Sequence, residues 1–142
     1  MNDADRIIAY IRANRVLTIC SARGSAPWAA NCFYAFDEPT VTLFVMSDPE
    51  TRHGRDLCDN PRVAGTVSSQ QASVAKLRGV QFEGFALRLS GADEAGARAL
   101  YCRRFPIARL RPAPLWAIVP SYLKYTDNTL GFGHKLHWCR PV

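Results

Sequence analysis

"TVTLFVMSDPETRHGRDLCDNPRVAG", Thr40 to Gly65, changes texture twice. Thr40 to Met46 is rich in β-branched and aromatic residues and predicts a strand. Ser47 followed by Glu50 is a capping-box pattern, with Pro49 and Glu50 in the first turn and Pro61 just past the last. A short helix is therefore predicted directly after the strand, and RVAGTVS (Arg62 to Ser68) then begins a new strand. The first amides of such a helix are unpaired and carry partial positive charge, which favours an anion. Ser47 and Thr51 offer hydroxyls, Arg52 a planar fork and His53 a further donor, all within one and a half turns. That is the chemistry of a phosphate cradle. The plainer alternative is a capping serine with a solvated basic face, and spacing alone leaves both open.

Outward from this stretch, Asp3 to Ala13 carries Ile7, Ile8 and Ile11 at helical spacing, with Asp3 able to cap and Asn14 at the end. Val16 to Ser21 and Pro27 to Phe36 read as strands separated by the turn clusters ARGS and DEPT, so three strands form an antiparallel meander. A long strand is expected over Ala75 to Leu89, with an alternation that slips near Gly84, as in barrel curvature. Asp93 to Arg104 is a third helix stopped by Pro106, and APLWAIVP and YLKYT predict final strands before the Gly131-Phe132-Gly133 turn. The order implies an α+β fold: a six- to seven-stranded antiparallel barrel with flanking helices.

The 142 residues fit a single domain, 1–142. No apolar run is long enough to span a bilayer and the N-terminus is unlike a secretory leader, so a cytoplasmic location without membrane contact is expected. The five cysteines are scattered without a CxxC pair, which indicates buried free thiols rather than a disulfide framework or zinc site. A net charge of +6 calls for an anionic partner, either nucleic acid or a phosphorylated small molecule. Nucleic acid is not favoured, because no recognition module accompanies the charge.

The segments TVTLFVMS, ETRHGRDLCDNPRVAG and RGVQFEG (Arg78 to Gly84) together resemble the FMN-binding split-barrel superfamily typified by pyridoxamine 5'-phosphate oxidase. YCRRFPIAR, LWAI and YTDNTLGFG extend the likeness to its uncharacterised YhbP-like branch. The resemblance implies a split-barrel homodimer with FMN at the subunit interface, acting as an oxidoreductase with NAD(P)H or another reductant. Thr51, Arg52 and His53 match a Ser-Arg-Lys triplet whose basic members hold the flavin phosphate, and Ser47 matches a hydroxyl residue that also contacts FMN. Asn31, Cys32 and Phe33 match the strand lining the flavin ring. Gly79 matches a glutamine that reaches the flavin, and glycine has no side chain with which to do so.

The oxidase's basic strand residue is Ala35 here, and its Arg-Pro-rich segment is Arg103-Arg104-Phe105-Pro106, so pyridoxamine phosphate oxidation is not expected. A non-catalytic module sensing flavin or haem on the same barrel is the alternative function. Trp28, Phe33, Tyr34, Phe132 and Trp138 could wall a flavin or other planar ligand, but a core role is favoured for each except Phe33. His134 and His137 on a strand would point to opposite faces, so no metal is expected. The arginines from Arg98 to Arg111 are a solvated helix face or a landing site for a second phosphate.

Overall fold

The computed structural model describes residues 1–142. Helix α1 (Asp3–Ala13) precedes β1 (Val16–Arg23), β2 (Ala26–Asp37) and β3 (Thr42–Met46). Helix α2 (Arg52–Asp59) leads into β4 (Arg62–Ser68), and a 3-10 turn at Val74–Lys76 into β5 (Arg78–Arg88). Helix α3 (Gly91–Arg104), a second 3-10 turn (Pro106–Arg109), β6 (Leu115–Asp127) and β7 (Lys135–Cys139) follow.

All strands join one antiparallel sheet in the order β3-β2-β1-β4-β5-β6-β7, and β3 also pairs with β6. The extra pairing closes six strands into a ring. Strand β6 is where the ring splits. One edge pairs with β5 throughout, while the other gives Leu115–Ile118 to β3 and Tyr122–Thr126 to β7. The register shifts at Glu83/Gly84 and leaves Ser121 as an extra residue in β6. Gly84 permits this bend: a Cβ there would stand 2.2 Å from the Val119 carbonyl oxygen. Arg140 fills the gap between β3 and β7, donating to the carbonyls of Pro120 (2.7 Å), Thr40 (2.9 Å) and Val41 (2.7 Å). Val41 is a β-branched residue at φ 48°, a strained conformation that this bond helps to hold.

Alternate residues fill the barrel: Leu17 and Ile19 of β1, Val63 and Val67 of β4, Val80 and Phe82 of β5, closed by Ile7 and Ile11 of α1. Outside it, α3 lays Ala97 and Tyr101 against Ala35 and Leu115. The α+β split barrel expected from sequence is the fold found.

Several details differ from expectation. Asn2, not Asp3, caps α1, in a reciprocal box with Asp5. Strand β5 begins at Arg78, because Ser73 caps a 3-10 turn over Val74–Lys76. Its alternation never slips: Val80, Phe82, Gly84 and Ala86 all face inward, and the apolar Phe85 and Leu87 sit on the outer face. The two segments expected as separate final strands are one, since the bulge at Ser121 absorbs the break that Pro120 signals. All five cysteines are free, but Cys58 and Cys139 are exposed rather than buried. No helix is long and apolar enough to cross a membrane.

Candidate functional site

Helix α2 begins at Arg52 with Thr51 as its cap, four residues later than the Ser47 pattern predicts. Asp48 is the cause. Its side chain accepts from the Glu50 amide (2.8 Å) and its carbonyl from the Thr51 amide (3.1 Å), so Asp48–Thr51 forms a turn that competes with helix. The Thr51 hydroxyl then accepts from the Gly54 amide (3.1 Å) and donates to the Asp48 carbonyl (2.7 Å), leaving no hydrogen to offer a ligand.

Ser47 turns into the barrel instead. Its buried hydroxyl shares a hydrogen bond with His53 Nε2 (2.8 Å) and lies 3.9 Å from Cys32 Sγ, while its carbonyl accepts from the Trp116 indole (3.2 Å). Burial pushes the Cys32 thiol up and pulls the His53 imidazole down, the latter opposed by Asp56. No hydrogen bond joins His53 to Asp56. Asp56, the buried carboxylate one turn on, accepts from Ser21 Oγ (3.0 Å) and pairs with Arg23 (3.3 Å), which ties α2 to β1.

Arg52 is different from its neighbours. Arg55 pairs with Glu50 and Arg23 with Asp56 and Asp59, whereas Arg52 makes no ion pair and places its guanidinium carbon over Trp28, 4.0 Å from the ring centre. The amides of Arg52 and His53, the first two of the helix, bond to nothing in the chain. Two free amides and an unpaired guanidinium therefore share one helix start.

The remaining expected residues lie on the outer face of the sheet. Asn31 is exposed and accepts from the Thr18 hydroxyl (2.8 Å). Phe33 is 56% exposed, whereas Cys32 between them faces inward, so only its backbone reaches the outer side. Val16 pairs with Phe33, and Ser68 with Gly79, in a row across β2, β1, β4 and β5. Gly79 is thus three strands from Phe33, about 14 Å measured around the barrel wall at ordinary strand spacing. The structure brings Cys32, Ser47 and His53 together, places Thr51 and Arg52 beside them, and leaves Gly79 apart.

Sequence reasoning missed the cleft beside Phe33. Phe105 stands edge-on to Phe33 (centroids 5.4 Å apart), Tyr101 packs against Phe105 with its ring tilted (5.2 Å), and Met46 closes one side. The spacing of Tyr101 and Phe105, i and i+4, is the signal that puts them on one side of α3. Trp28 and Phe132 are exposed, against the core assignment, because β2 runs beyond the barrel at Trp28 and Phe132 tips a glycine turn; Tyr34 is core. Arg98 pairs with Glu94 and Arg104 donates to the Asn14 carbonyl (2.7 Å), so these arginines brace α3. His137 shares a hydrogen bond with Tyr122 (2.5 Å), away from the exposed His134.

No family model matches the chain. It is 45% identical over 143 residues to a UPF0306 protein of Yersinia pseudotuberculosis, covering 99% of this chain and 97% of that one. Among solved structures, a haem-binding protein from Mycobacterium smegmatis superposes with TM-score 0.83 at 18% identity, over 98% of this chain and 58% of that chain. A Listeria innocua protein ascribed to pyridoxamine 5'-phosphate oxidase gives 0.71 at 17% identity (87% and 98% covered), and a FAD-binding protein from Mesorhizobium loti 0.72 at 17% (86% and 90%). These likenesses establish a shared fold.

Proposed function

The chain belongs to the UPF0306 family, and from that premise we propose that it is an FMN-binding flavoprotein of the oxidoreductase type, working as a homodimer. The observation that carries the reading is the unpaired Arg52 beside two free helix amides. A phosphate ester fits that set: the amides and fork donate to its oxygens, and His53 adds charge when protonated. Thr51 supports the site as a cap, not as a ligand. Asn31, Phe33 and the Cys32 backbone line the ring. FMN would supply hydride or single-electron transfer there, while the chain binds it, orients it and limits water.

The dimer rests on the outer sheet face. Ala29, Asn31 and Phe33 of β2, Val16 and Thr18 of β1, and Ala64, Thr66 and Ser68 of β4 form an uncharged strip on that face, bordered by Arg62 of β4 and Glu83 of β5, in a protein of net charge +6. Charge depletion around an exposed aromatic marks an interface core. Native mass spectrometry of the purified protein tests both points: a dimer retaining FMN is the expected species. A haem-loaded dimer would favour the sensing alternative, and a bare monomer that takes up no added FMN would overturn the proposal.

A further inference from the structure

The cleft beyond Phe33 has a volume of about 560 Å³, within the range of small-molecule sites, and is walled by Phe33, Met46, Tyr101, Phe105, Leu110 and Arg111. Its polarity is the informative feature. Tyr101 donates its hydroxyl to the Phe33 carbonyl (3.3 Å), and burial pushes that phenol up to about 12, so it stays a neutral, already committed donor. Arg111 is the only charged side chain on the wall; it is exposed and makes no ion pair or hydrogen bond within the chain. Leu110, 80% exposed, projects from the turn after α3 at the rim.

We propose that this cleft binds a flat, largely apolar molecule bearing one anionic group, with its rings between Phe33, Phe105 and Leu110 and its anion on Arg111. A multiply charged or sugar-like ligand would lose its hydration to walls that return no hydrogen bonds. The edge-to-face pair of Phe33 and Phe105 offers ring faces and edges to a third aromatic system. The single free guanidinium is complementary to one carboxylate or sulfonate. That such a molecule is a redox substrate rests on the flavin reading, because Phe33 borders both places; that it binds does not.

Naphthoate and its neutral analogue acetylnaphthalene are suitable probes, followed by calorimetry on the purified protein. Saturable one-to-one binding of both is expected, with pyridoxal 5'-phosphate at least about tenfold weaker. Arg111→Ala should weaken naphthoate about tenfold, the effect of one charge-assisted hydrogen bond, and leave acetylnaphthalene unchanged. Leu110→Asp, a change at an exposed position that spares the fold, should weaken both probes. Binding indifferent to Leu110→Asp, or a probe preference unaffected by Arg111→Ala, would overturn the proposal, as would loss of the native mass of the dimer in Leu110→Asp, which would make the cleft a contact between copies. FMN uptake measured in parallel separates the two readings: naphthoate without FMN sinks only the flavin, and FMN without naphthoate sinks only the cleft.

Discussion

Arg52 and Arg140 both lie over an indole, Arg52 at 4.0 Å from the Trp28 ring centre and Arg140 at 5.3 Å from that of Trp138. Beyond that they part. Arg140 spends its fork on three backbone carbonyls where the barrel splits, and burial pulls its pKa down. Arg52 spends nothing, although Asp48, Glu50 and Asp56 are all close in sequence, each of them engaged elsewhere. The pair contrasts a structural cation with an uncommitted one in the same chain. The first is defined by the acceptors it satisfies, the second by those it lacks.

That contrast can be broken by substitution. Arg140→Ala should cost most, about 2 kcal/mol in urea unfolding, because it strands the part-buried carbonyls of Pro120 and Val41. Arg140→Lys should recover little of this, since one ammonium cannot span the three. An unfolding midpoint unchanged by either would mean that the split is held by strand pairing alone. Thr51→Ala should cost about 1 kcal/mol through loss of the α2 cap. Arg52→Ala should cost no more than about 1 kcal/mol, the worth of its exposed contact with the Trp28 ring; a larger loss would make it structural after all.

The smallest effect concerns pH. Burial lowers the His53 pKa, so the unfolded chain takes up a proton more readily than the native one. The stability from neutral His53 is complete above the ordinary value of 6.5 and is lost as pH falls through the lowered one. Thermal melting should therefore drop on acidification more in the native protein than in His53→Gln, and parallel curves would contradict this.

The first three strands and β4 were legible because turn residues bracket each β-branched run; Arg52 and His53 stood out by their chemistry at a helix start, and Phe33 only through the family resemblance. The helix start was misplaced because Ser47-x-x-Glu50 satisfies a capping pattern that the Asp48 turn pre-empts. The continuity of β6 was hidden because Pro120 and Ser121 look like an end when they are a bulge. Trp28 under Arg52, and Phe105 against Phe33, unite residues far apart in sequence, which no local period reveals.

In the proposed flavoprotein, Arg52 is held free for the phosphate of the flavin nucleotide. Flavin fluorescence titrations with FMN and with riboflavin, which differ by that phosphate, test it most directly. Arg52→Ala should weaken FMN by about 1.5–3 kcal/mol and leave riboflavin unchanged. Equal losses for both flavins, or none for either, would contradict it.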